Sequence, residues 1–154
     1  MENTLKIKGH FLLEMRDTEG RVVETRDLDN LVTSAGKAAI AGLVGNTGSV
    51  GAFGYLAVGT GSTAASVDDT ALGAEISTNG LGRAAATVSR ATTTVTNDTL
   101  QLSVTWTATG ASAVTELGAF NAASDGVMLG RQVFSAINTS NGFQLTLTYK
   151  FQFS

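Results

Sequence analysis

Along the first stretch of the chain Leu5, Ile7, Gly9, Phe11, Leu13 and Met15 alternate with Lys6, Lys8, His10, Leu12, Glu14 and Arg16. A period of two predicts a half-buried strand. Asp17-Thr18-Glu19-Gly20 predicts a turn, and Arg21 to Leu28 a returning strand, so residues 1–28 read as a charged β-hairpin. The period changes at Asn30. Leu31, Val32, Ala35, Ala39, Ile40, Leu43 and Val44 follow helical spacing, with Thr33 or Ser34 as the start cap and Gly45 as the end. This predicts one short helix near residues 33–44, followed by a glycine-rich loop over Gly45 to Gly54.

An apolar run, Tyr55 to Val58, then breaks into Gly59-Thr60-Gly61-Ser62-Thr63-Ala64. A long connection follows, with one helical turn expected near Thr70 to Ala74. From Leu81 the pattern is β. It predicts a Thr-rich strand from Ala84 to Thr96, a turn at Asn97-Asp98, and a strand in which Leu100, Leu102, Val104, Trp106 and Ala108 alternate with polar residues. Val114 to Ala122 and Val127 to Ile137 flank Ser124-Asp125-Gly126 as a hairpin. Phe143, Leu145, Leu147, Tyr149, Phe151 and Phe153 form the last alternating strand. The expected fold is mainly β: an antiparallel β-sandwich or barrel, jelly-roll-like, with one short helix and an N-terminal β-hairpin. The chain is expected to be a single domain, 1–154, with residues 1–28 as an arm on a β-rich core of residues 30–154.

The 154 residues are 43% apolar, enough for one core. Only 15% are charged, and the net charge is −3. Without a basic excess, non-specific nucleic-acid binding is not expected. There is no cysteine, hence no disulfide or thiolate metal site, and no proline. No apolar stretch approaches the ~18 residues of a membrane span, so no membrane partner is expected. The N-terminus shows neither the basic nor the apolar region of a signal peptide. Residues 1–37 hold 13 of the 23 charged residues. The remainder is solvated mainly by Thr, Ser, Asn and Gln. That surface suits pleated sheet, and equally a surface that meets other subunits, because few charges need desolvation.

The candidate chemistry is sparse. Gly59 to Ala64 spells G-x-G-x-x-A, a form of the dinucleotide-binding fingerprint. That site needs a following amphipathic helix, which Ala65 to Gly73 does not offer, and Asp68-Asp69 would sit beside the phosphates. No Gly-Lys-Ser/Thr follows either glycine cluster, so a P-loop is also excluded. No cofactor is expected, and Gly59 and Gly61 read as giving positive φ where the chain leaves a strand. His10 is the only histidine, on the polar side of a strand, so multi-histidine metal sites are excluded. Asp68-Asp69 lacks a calcium-loop pattern and reads as a solvated turn or helix cap. Glu75 precedes Arg83, and Glu116 precedes Arg131 across the predicted hairpin. Paired carboxylates would suit a glycosidase, but each acid has an arginine in prospect, so these four residues are structural ion-pair candidates.

The segments Asn30 to Leu43 (NLVTSAGKAAIAGL), Phe53 to Ile76 (FGYLAVGTGSTAASVDDTALGAEI), Leu81 to Thr99 and Val114 to Ile137 (VTELGAFNAASDGVMLGRQVFSAI) together resemble small virion structural proteins of tailed bacteriophages, of the head-decoration or tail-fibre-associated type. The resemblance covers about Asn30 to Ser154. It implies a β-rich assembly module without catalytic residues, located on the virion, with the phage major capsid protein as partner. Tail or baseplate proteins are the alternative partner. Fibre versions continue into repetitive shafts, whereas this sequence has no repeats, which favours a capsid decoration (cement) protein. A homo-oligomer is expected because the few charges past residue 37 do little to keep copies apart, and the resemblance adds a trimer, from the three-fold positions that decoration proteins often occupy. The charged hairpin is then the arm that grips a neighbouring subunit, and the aromatic last strand must be paired or covered.

Overall fold

The structure, a computed structural model, describes residues 2–154. Nine strands and one helix follow in the order β1 (Ile7–Arg16), β2 (Val22–Val32), α1 (Ser34–Gly45), β3 (Tyr55–Gly59), β4 (Ala84–Ala85), β5 (Thr87–Ala91), β6 (Thr99–Thr107), β7 (Ala113–Phe120), β8 (Met128–Asn138) and β9 (Gln144–Phe153). All pairings are antiparallel, in the order β4-β3-β7-β8-β2-β1-β9-β6-β5. The mainly β fold, the short helix and the N-terminal strand hairpin expected from the sequence are all present.

Strand β2 is the seam between two halves of the sheet. Its stretch from Val22 to Asn30 pairs with β1, and its last two residues, Leu31 and Val32, reach β8. The two ends of the strand order, β4 and β5, are separated in the chain by Ala86 alone. The Ala86 N–H donates to the Gly54 carbonyl at 2.8 Å, which fixes the crossing. The covalent chain thus passes from one sheet edge to the other, and the sheet is nearly closed.

Alternation decides what lies inside. Phe11, Leu13 and Met15 of β1 face Leu145, Leu147, Tyr149 and Phe151 of β9 and Leu102, Val104 and Trp106 of β6 in one core. The Tyr149 and Phe151 rings meet edge to face at 4.6 Å, a favoured aromatic geometry. The Trp106 indole N–H donates to the Gly82 carbonyl at 2.8 Å, so its one polar atom is not left bare. The last strand is not an open edge, since β9 is paired on both sides, by β1 and β6.

The expectation that residues 1–28 form an arm separate from the core is corrected. The hairpin exists, but β1 is an inner strand, paired along its whole length with β9 from Ile7–Phe153 to Arg16–Gln144. Phe11, Leu13 and Met15 are buried, and burying each such side chain contributes ~1.5–3 kcal/mol. Lys8, His10, Glu14, Asp27 and Asp29 lie on the outer face, whereas Glu24 and Arg26 stand opposite Met15 and Leu13, and the Arg26 guanidinium donates to the carbonyls of Ser135 and Ala136 on β8.

Two smaller differences have local causes. The expected strand from Ala84 to Thr96 is broken at Ala86, where the chain changes edges, and ends at Ala91. Beyond it the Asp98 carboxylate accepts the N–H groups of Thr93, Thr94 and Val95, each at 2.9 Å, and gathers the segment into a loop. The helical turn expected at Thr70 to Ala74 is absent. The Gly73 and Ala74 N–H groups go to a side chain instead. Helix α1 is capped by Thr33, whose hydroxyl accepts from the Gly36 N–H at 2.9 Å. Its C-cap is Asn46, left-handed at φ 49°, one residue past the expected cap at Gly45.

Candidate functional site

Between β3 and the chain crossing at β4, residues 60–74 form an Ω-shaped loop. Its ends are held together by the Thr60 N–H to Ala74 carbonyl bond at 2.9 Å and the Ile76 N–H to Val58 carbonyl bond at 3.0 Å. Such loops are packed by their own side chains. This one places Leu72 with Ala57, Phe120 and Met128 in a second apolar cluster. The cluster explains why β7 is buried on both faces, with Leu117 and Ala119 in the main core and Glu116, Gly118 and Phe120 under the loop.

Glu116 is the centre of the fastening. It is fully buried. Its Oε1 accepts the N–H groups of Gly61 at 2.9 Å and Ala74 at 2.7 Å, and its Oε2 accepts that of Gly73 at 2.9 Å. Arg131 donates to the same Oε2 through Nε at 2.9 Å and Nη2 at 2.8 Å. In the β7–β8 register Glu116 lies opposite Val133 and Arg131 opposite Gly118, so the pair meets diagonally on one face. The Arg131 guanidinium also donates to Asp69 Oδ2 at 2.8 Å and to the Thr63 carbonyl at 2.9 Å. Asp69 in turn accepts the Ser66 N–H at 2.8 Å. One buried ion pair thereby holds both limbs of the loop.

Burial alone would raise the Glu116 carboxyl, but the N–H groups of Ala74, Gly73 and Gly61 and the Arg131 guanidinium hold it below the usual carboxylate range. Desolvation also opposes the ionised form of Asp69, and the Ser66 N–H and Arg131 outweigh it. Burial would lower the Arg131 pKa, yet Asp69 and Glu116 raise it. Charge-assisted bonds of this kind are the strong ones.

The expected role of Gly59 and Gly61 is corrected here. Neither has positive φ. What each supplies is room: a Cβ on Gly59 would lie 2.4 Å from Glu116 Oε1, and one on Gly61 2.5 Å from the same atom. The glycine stretch aims one backbone N–H, that of Gly61, at an anion, and Gly73 and Ala74 on the returning limb add two more, as the amides of a phosphate loop do. The anion is the protein's own Glu116.

Arg83 and Glu75 form a bidentate pair, Nε to Oε1 at 2.9 Å and Nη2 to Oε2 at 2.7 Å. The same guanidinium donates to the carbonyls of Ala122 at 3.1 Å and Asp125 at 2.8 Å, and its centre stands 3.7 Å above the Phe120 ring. It ties the outgoing limb of the loop to the β7–β8 turn, in which Asp125 and Gly126 have φ of 51° and 75°.

The remaining candidates lie elsewhere. His10 is on the outer face of β1, between Asp27 and Asp29 of β2, with Nδ1 3.0 Å from Asp29 Oδ1. Asp68 is exposed in a turn, whereas its neighbour Asp69 belongs to the buried network rather than to a solvated turn alone. Among the described residues no group of three or more His, Cys, Asp or Glu is placed to hold a metal ion, and no helix is long and apolar enough to cross a membrane.

The scarcity of charge beyond residue 37 pointed to Glu75, Arg83, Glu116 and Arg131, and the fold brings each acid to its base. Asp69 and the three backbone donors were missed, because their place depends on the loop's return. No protein-family model, curated protein or solved structure matches the chain.

Proposed function

We propose that this protein is a non-enzymatic structural component of a tailed-bacteriophage virion, of the capsid-decoration type, in which copies bridge subunits of the major capsid protein. The observation that carries the reading is how the buried charges are spent. Glu116, Arg131 and Asp69 bind one another and the loop backbone. A general acid or nucleophile needs a lone pair or proton facing substrate, and Glu116 has both oxygens committed in a closed site. Two of the segments that carry the likeness to virion proteins, Phe53 to Ile76 and Val114 to Ile137, are the ones that build this fastening, supplying Gly61, Asp69, Gly73, Ala74, Glu116 and Arg131. They therefore hold a fold that presents surfaces, in keeping with an assembly module. The weakly charged, Thr-rich exterior also suits close contact with other subunits.

Labelled antibody against the protein, applied to intact phage particles, tests the assignment. Label over the whole head is the expected result. Label confined to the tail or to one vertex would move the protein to the tail or baseplate, and absence from particles would overturn the virion reading.

A further inference from the structure

The fold gathers all four lysines of the chain at one end of the barrel. Lys6 and Lys8 come from the start of β1, Lys37 from α1 and Lys150 from β9. Three shallow depressions meet at Lys8. One also reaches Lys150 and His10, one Lys37 and Asn30, and one Lys6 and Lys37. The two kinds of cation are used differently. Every arginine except Arg90 is bound to a carboxylate of this chain. Among the described residues no lysine is within ion-pair distance of a carboxylate. An unpaired ammonium on a flexible stem is left available to an outside anion.

We propose that this lysine-bearing end docks a partner protein through a carboxylate-rich patch on that partner. The surroundings favour a protein over a nucleic acid. Asp29 lines two of the depressions and, with Asp27, flanks His10 on the same face, so the cations are interrupted by acidic groups, a pattern that suits discrete carboxylates on a protein better than an unbroken run of phosphates. Exposed apolar side chains, Leu5 and Val67, border the depressions. A mixture of cations and apolar residues is ordinary in protein interfaces. The Asp98 carboxylate is turned to the Thr93, Thr94 and Val95 N–H groups, and among the described residues it makes no ion pair with a lysine. The inference does not depend on the virion reading, because the partner is defined by its charge alone.

Binding of a fluorescent oligoglutamate peptide to the full chain at low ionic strength tests it. The wild type is expected to bind, with affinity falling as salt screens the contact. The double substitution Lys8→Gln/Lys150→Gln should weaken binding by roughly fivefold or more, and Lys6→Gln/Lys37→Gln should act in the same direction. A control, Asn141→Asp/Gln144→Glu, makes the same change in net charge at exposed positions at the opposite end of β9 from Lys150 and should leave affinity unchanged. Unaltered thermal melting establishes that each variant is folded. Absence of peptide binding, or equal loss in the control, overturns the proposal. So does a DNA duplex that displaces the peptide, which would give this end to nucleic acid instead.

Discussion

A carboxylate can occupy a closed site only when its lone pairs are used, and Gly61 shows how local the condition is. Its N–H binds Glu116 while its missing Cβ leaves the carboxylate its space. Gly61→Ala should destabilise the protein by ~1–3 kcal/mol through overpacking, read as a lower urea midpoint. Glu116→Ala should cost ~3–5 kcal/mol, because it leaves Arg131 buried without its main partner. The two losses share one cause, so the double variant should lose clearly less than their sum. Strict additivity would show that Gly61 does not act through Glu116. At this scale the sequence was half legible. An acid and a base that are rare in their region announce a pair. Nothing in the string distinguishes a glycine needed for positive φ from one needed for clearance, since both are written Gly.

Among elements, alternation was the dependable signal. It placed Phe11, Leu13 and Met15 on the inner face of β1, where they are found. It carried no information on which strand lies beside which, so a charged hairpin passed for an appendage although β1 is held between β2 and β9. Deleting residues 1–28 should therefore abolish folding, seen as loss of the β circular-dichroism signal and of dispersed amide resonances. A folded, dispersed remainder would restore the arm. The loop at residues 60–74 was legible only as a connection, because its order comes from β7 and β8, far along the chain. Arg131→Met removes the ties to Asp69, Thr63 and Glu116 while keeping every backbone donor of the ladder. Limited proteolysis of that variant should cut within residues 60–74 much faster than in the wild type, with the strand signal retained. Equal cutting rates would mean that Leu72 and its neighbours hold the loop without Arg131.

For the whole molecule, counts of charge mislead where placement matters. A net charge of −3 argues against a basic surface, yet the fold brings Lys37 and Lys150 to the end where Lys6 and Lys8 already stand together. The carboxylates make the complementary point, because those with lowered pKa are fastened to the backbone. In Asp17 the opposing effect of desolvation is outweighed by the Arg21 and Glu19 N–H groups and the Arg21 side chain. Asp98 is lowered by the Val95 N–H against desolvation, with Thr94 and Thr93 adding to it. Asp69 and Glu116 are lowered as well. A carboxyl whose folded pKa is depressed releases its proton more readily folded than unfolded. Its contribution is complete above the unfolded value, ~4 for Asp and Glu, and is lost as pH falls through the folded value. The melting temperature should therefore be nearly level from neutral pH down to about pH 5 and then decline. Glu116→Gln tests the buried part of this linkage. At neutral pH the variant should melt well below the wild type, since its amide cannot neutralise Arg131. As acid protonates Glu116 in the wild type, the two proteins become electrostatically alike at that position, and the gap between their melting temperatures should narrow. A gap that stays constant from neutral pH into acid would show that the Glu116 proton is not coupled to folding, and that the loop is fastened mainly by apolar packing.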